Sequence, residues 1–361
     1  MKRSGCKTVI RLLFVQLILF VSVAVYADEV QKKFSKEYDA KGIEELEISN
    51  RYGDVEFVNT DNNKISIVVD VQVYHPNNNK AEKLLSLIDV EFSKDDNTIE
   101  ARTVIDRQFK LNNIGSGRGF SIDYRVEMPG NLNLDVVNRY GTIKAGDLSG
   151  HVDIRIKYGS LFITSLTRGN QEPLNSIDAE YLQIADINDA GWLELDMRYV
   201  SKLNIGKAQA LLINSRYSTN NNIGTVSSVV IDSKYDKYNI ENLKNVVAES
   251  GYTNYDFGNV AKTLDIETKY GSIKADKILK DFDMVRAYVE YATVRLSFEE
   301  DASYRLDADT RYCSLSFDER NADILRRIED SQSKTVEAII GNKNTDSKVR
   351  IDANYGSVKL Y

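Results

Sequence analysis

Cysteine, proline, histidine and tryptophan are all scarce: two, three, two and one among 361 residues. With Cys6 in an N-terminal leader and only Cys313 beyond it, an internal disulfide framework is excluded. So few prolines, with 42% hydrophobic and 28% charged residues, exclude a disordered stalk. His75 and His151 stand far apart, so no histidine-based metal set or catalytic triad is in view. No catalytic residue, metal ligand or cofactor is expected. No apolar run reaches the ~20 residues that span a bilayer.

The longest apolar run is a leader. Lys2, Arg3, Lys7 and Arg11 make a basic start, Leu12 to Val23 is broken only by Gln16 and Ser22, and Val25-Tyr26-Ala27 offers a cleavage site. Residues 1–27 are read as a signal peptide cut after Ala27, and the protein as exported, to the periplasm, cell surface or medium. Cys6 precedes the apolar run and so cannot be a lipidated cysteine. Removing four basic residues takes the charge from −7 to −7 − 4 = −11 over 361 − 27 = 334 residues. That balance argues against nucleic acid or an anionic membrane as partner, and the mature chain is not expected to span a membrane.

What is abundant is tyrosine. A phrase written NRYGDVEF at Asn50 and NRYGTIKA at Asn138 recurs in looser form down to ANYGSVKLY. Its tyrosines are Tyr52, Tyr140, Tyr158, Tyr181, Tyr199, Tyr217, Tyr235, Tyr252, Tyr270, Tyr291, Tyr312 and Tyr355. Between Tyr140 and Tyr312 the spacings are 18, 23, 18, 18, 18, 17, 18, 21 and 21, so the unit is 18 residues and longer spacings carry insertions. Before each tyrosine apolar residues alternate, as Val152, Ile154 and Ile156 do before Tyr158; after it the parity changes, as at Leu161 and Ile163. Each unit is therefore a strand, a corner, a second strand and a return loop. A coil returning in one direction would stack each position on its equivalent, so the expected class is all-β, a single-stranded parallel β-helix with short capping helices. Its right hand is taken by analogy with parallel crossovers.

Tyrosine shares the parity of the buried residues, so the twelve rings are expected to form a structural ladder along the interior, in preference to an exposed row that stacks on sugars. Glycine follows tyrosine at Gly53, Gly141, Gly159, Gly271 and Gly356, but Val200 and others fill that place elsewhere, so positive φ is not expected there in every coil. Basic residues precede tyrosine at Arg51, Arg139, Lys157, Arg198, Arg216, Lys234, Lys269 and Arg311. Two places earlier come Asp178, Asp196, Asp232, Glu249, Glu267, Asp309 and Asp352. The reading is two solvated columns of opposite sign, in preference to a calcium or polyanion stripe.

Three regions are expected: the leader 1–27, an N-terminal part of the β-helix with cap and helix at 28–130, and repeat coils at 131–361 with an insertion near 318–345. In the second, Ala81, Leu84, Leu85 and Ile88 have helical spacing after an asparagine run suited to capping. NTIEARTVI and FSIDYRVEMP read as strands flanking RQFKLNNIGSGRGF, whose glycines mark a loop and not a nucleotide fingerprint. ERNADILRRIED reads as a short helix, and Trp192 as a loop residue covering a coil edge.

A leader, ELEISNRYGDVEF, an early helix, VEMPGNLNLDVVNRYGTIKAGDLSG and then degenerate KYGS coils together resemble the bacterial adhesin-like (auto-transporter-adhesin-head-like) β-helix family of unknown function. The resemblance implies a right-handed β-helix at the cell envelope and brings no catalytic residues; the middle coils depart from its glycine pattern. The function expected is a non-enzymatic, adhesin-like envelope scaffold that binds an envelope protein or surface glycan. Two alternatives stand beside it: a polysaccharide lyase or hydrolase built on a β-helix, and an outer-membrane β-barrel.

Overall fold

Alternation decides the local structure. In the strand Val152–Leu166, Val152, Ile154 and Ile156 are buried while Arg155 faces solvent, and the same pattern runs through the repeat. The computed structural model describes residues 28–110 and 119–361. The leader at 1–27 and the middle of RQFKLNNIGSGRGF, 111–118, lie outside the described residues.

The chain is all-β. Successive repeats run parallel and in register: Ile154 pairs with Val136 and Ile177, Ile177 with Leu195, Leu195 with Ile213, Ile213 with Ile231, Ile231 with Ala248, Ala248 with Ile266 and Ile266 with Ala287. The column is fully buried and forms the core. Fully burying one such aliphatic side chain contributes about 1.5–3 kcal/mol. The apolar residue eight places past the tyrosine is buried as well at Leu148, Leu166, Leu243, Val260 and Ile278, closing the core before each turn.

Both ends depart from the coil. At the first, Asp28–Asp39 lies antiparallel to Lys64–His75, which lies antiparallel to Gly119–Met128. Gly119–Met128 and Thr98–Ile105 run parallel to Val55–Asn59 and Glu45–Arg51, giving the first coil a neighbour on its outer side. The helix Asn78–Leu85 sits here, with Asn77 as N-cap accepting from the Lys80 amide at 3.0 Å and Ala81 buried. Among the described residues no helix is long and apolar enough to cross a membrane.

At the other end, the expected helix in ERNADILRRIED is corrected. Only Glu319–Asn321 forms a short 3-10 turn, and Ala322–Glu329 is a strand antiparallel to Ser333–Ile340. That partner strand supplies the backbone hydrogen bonds, and pairing overrides local helix propensity. Coil order also departs from chain order. The strand Lys348–Leu360 lies parallel between Met284–Glu290 with Thr293–Phe298 on one side and Tyr304–Ser316 on the other. Trp192 opens the strand Trp192–Arg198, half-buried, instead of lying in a loop.

Candidate functional site

All twelve repeat tyrosines have positive φ, between 49° and 70°. A left-handed residue interrupts the alternation of a strand. The side chain two places before tyrosine points inward, as Ala179 and Met197 do; tyrosine then turns outward, and the next residue points inward again, as Leu182 and Val200 do. This corrects the expectation of an interior ladder. Eleven of the rings are 37–48% exposed and Tyr52 is half-buried. Positive φ does recur in every coil, one residue earlier than the glycine position.

The rings stack along the outside of the coils. From Tyr52 through Tyr140, Tyr158, Tyr181, Tyr199, Tyr217, Tyr235, Tyr252, Tyr270 and Tyr291, neighbouring centroids lie 4.7–5.1 Å apart with interplanar angles of 3–16°. Tyr355 continues the stack and Tyr312 ends it, at 4.7 and 5.0 Å. The Tyr312 hydroxyl donates to Gln332 Oε1 at 2.8 Å, and Phe120 tilts against Tyr52 at the opposite end. Because each ring covers the next, the surface receives ring edges and hydroxyls; the faces are used up inside the stack.

Beneath the strip, the inward positions on either side of tyrosine adjust to one another. Gly53 and Gly141 are paired with asparagine: the Asn50 amide donates to the Ile122 carbonyl at 2.9 Å, and Asn138 donates to the Gly53 carbonyl at 3.0 Å. A methyl group on Gly141 would land on the Gly53 carbonyl, so close coil approach requires glycine there. Further along the pairs become polar. Ser215 donates to Asp236 at 2.5 Å and meets the buried Tyr238 hydroxyl at 2.5 Å, while the Ser218 amide donates to Asp236 at 2.6 Å. Burial pushes the Asp236 carboxyl above its ordinary range, against the pull of those donors, and lifts the Tyr238 phenol well above its own. Tyr255, held by Ser233 at 3.2 Å, is pushed up to about 12 by the same cause.

Charges flank the strip on one side. Lys157 bonds Glu180 at 2.5 Å and Arg198 lies 3.7 Å from the same carboxylate. Arg216 pairs with Asp232 at 3.0 Å and Lys269 with Glu290 at 3.2 Å. Arg51 lies over the Tyr52 ring at 5.0 Å, and Lys157 reaches both Tyr158 and Tyr181. The acidic residues stack on one another in part, Asp178 beside Asp196, Asp232 beside Glu249 and Glu249 beside Glu267, and Asp309 beside Asp352. Burial first, then Glu180 and Asp196, raise the Asp178 carboxyl. The two histidines are held apart by local bonds, His75 Nδ1 accepting from the Asn77 amide at 2.9 Å and His151 Nε2 beside the Leu174 carbonyl at 3.0 Å. Among the described residues no group of three or more His, Cys, Asp or Glu is arranged to hold a metal ion.

No protein-family model and no curated protein matches the chain. Solved structures do. A candidate cell adhesion protein from Clostridium sporogenes covers 92% of this chain and 99% of its own, at 10% identity and a TM-score of 0.24. A candidate adhesin from Bacteroides fragilis covers 74% and 97%, at 15% identity and a TM-score of 0.31. A candidate lipid-binding protein from Parabacteroides distasonis covers 73% and 94%, at 10% identity and a TM-score of 0.31. Identities and scores this low carry no functional argument, which rests on the chain's own geometry.

Proposed function

We propose that the chain is an exported, non-enzymatic, adhesin-like scaffold of the cell envelope, a right-handed parallel β-helix that binds an envelope protein or surface glycan through its tyrosine strip. One observation carries this reading: twelve tyrosines in left-handed backbone, stacked on the outer surface over the length of the coils. Stability alone is a poor reason for them. A left-handed non-glycine residue costs roughly 1–2 kcal/mol, and each ring contact returns about 0.5–1.5 kcal/mol. The terms nearly cancel, and glycine would turn the corner without the strain. Tyrosine in every coil is then best accounted for by what the strip presents to solvent.

The test replaces three adjacent rings together, Y181N/Y199N/Y217N. Asparagine tolerates the left-handed region, so the corners are kept. Binding of the wild type and the variant to envelope fractions and to a glycan array is compared, with circular dichroism and thermal melts as fold controls. Loss of binding by a folded variant is the expected result. A folded variant that binds as the wild type does would remove the strip from the function.

A further inference from the structure

The strip is not uniform along its length. Lys234 and Arg311 are single cations without a carboxylate within 4.0 Å among the described residues, but elsewhere in the middle and later coils the basic residue beside the ring is held by a carboxylate, as in Arg198 with Glu180, Arg216 with Asp232 and Lys269 with Glu290. In the first coils it is not. Arg51 and Arg139 are exposed and directly opposed in register, and among the described residues neither has a carboxylate within 4.0 Å. Lys157 follows them in the same column, shared with Glu180. The acidic column has not begun at this end: the places it would occupy hold Ser49, Val137 and Arg155. Across the rings, Asp54 is already engaged by the Thr142 amide at 2.7 Å, and Asp123 by the Asp54 amide at 2.8 Å.

Ring geometry adds to this. An aromatic quadrupole is negative on its faces and positive at its edge. With the faces of Tyr52, Tyr140 and Tyr158 buried against one another, the surface sees positive edges, hydroxyl donors and two guanidinium forks. That combination favours anionic acceptors over cations and over the apolar faces of neutral sugars. Past the rings come Thr142 and Ser160, which extend a hydroxyl-lined track. A dense polyanion is opposed by the −11 mature charge. A polymer with sparse anions and many hydroxyls meets both features.

We propose that Arg51 and Arg139, with the hydroxyls of Tyr52, Tyr140 and Tyr158, form an anion subsite for an acidic polysaccharide lying along the strip. This rests on the strip being the binding face and names the ligand class. The test measures binding of the full mature chain to carboxymethyl dextran of low substitution, dextran sulfate of low substitution and neutral dextran by calorimetry or biolayer interferometry. The first two separate carboxylate from sulfate as the anion. Binding to at least one acidic polymer is expected, about tenfold or more tighter than to neutral dextran and weakening as salt is raised. R51Q/R139Q should lose roughly tenfold or more of that affinity, while K262Q/K274Q, whose cations pair with Asp283 and Asp256 and do not stand beside a ring, keeps it; thermal melts confirm folding. Equal affinity for neutral dextran, no binding of either acidic polymer, or full affinity in folded R51Q/R139Q would each overturn the subsite. Y181N/Y199N/Y217N separates the two levels: if it loses envelope binding while acidic polymers never bind, the strip stands and the subsite falls.

Discussion

Replacing Tyr199 by alanine and by glycine should invert the usual ranking of those two residues. In an ordinary strand, glycine is less stable than alanine by roughly 0.5–1 kcal/mol because it loses more backbone freedom on folding. Tyr199 has φ of 56°, and alanine would keep the left-handed strain of about 1–2 kcal/mol that glycine escapes. Both variants lose the same two ring contacts, with Tyr181 at 4.9 Å and Tyr217 at 5.0 Å, together about 1–3 kcal/mol. Subtracting glycine's entropy from the relieved strain leaves Y199G more stable than Y199A by up to about 1.5 kcal/mol. Y199A should therefore be the worst of the three proteins. Urea unfolding followed by circular dichroism measures the order. The same pair at Glu194, an exposed strand position without positive φ, should give the ordinary ranking. Y199A more stable than Y199G would refute the left-handed corner and the strain assigned to it.

Two further outcomes follow from the core. G141A places a methyl group on the Gly53 carbonyl and should cost about 1–3 kcal/mol or more, whereas G251A, with open space around the added carbon, should change stability by less than about 1 kcal/mol; denaturant midpoints compare them. D236N tests the buried carboxyl. Because burial raises the folded-state pKa above the ordinary 3.8, the protonated acid's share of stability is complete below the unfolded value and is lost as pH rises through the folded one. D236N should abolish that decline and be the more stable protein above it; a wild type whose stability rises with pH across that window, relative to D236N, would contradict the assignment.

Period and direction were readable because apolar alternation and the 18-residue spacing are properties of side chains alone. Val152, Ile154 and Ile156 had to share a face, and equivalent residues had to meet. The side of the wall on which tyrosine stands was not readable from that parity. Residues two before and one after the tyrosine are both inward, a step of three, and a step of three fits a bend placed either after tyrosine or at it. The signal that separates the two is the buried residue directly after the ring. Leu182, Val200 and Ala292 are apolar and buried there; with the residue two before the ring also inward, the ring and the residue before it both face out, which places the break in alternation at the ring. The basic residues before the tyrosines were visible, but which of them would be neutralised was not, since Glu180 and Glu290 serve neighbours 18 to 23 residues away.

Coil order was illegible for a different reason. Every coil carries the same ring, so the ring cannot say which coil follows which, and Tyr355 comes to rest between Tyr291 and Tyr312. A methyl group on Gly356 would strike the Ala292 carbonyl, so the backbone this corner adopts requires glycine, although Val200 packs against the Leu182 corner without one. The antiparallel strand Ser333–Ile340 covers the remaining edge of Tyr304–Ser316. The strand carrying Cys313 thus has Lys348–Leu360 on one edge and Ser333–Ile340 on the other, so Tyr312 ends the ring stack because an antiparallel strand without a repeat tyrosine takes the next place.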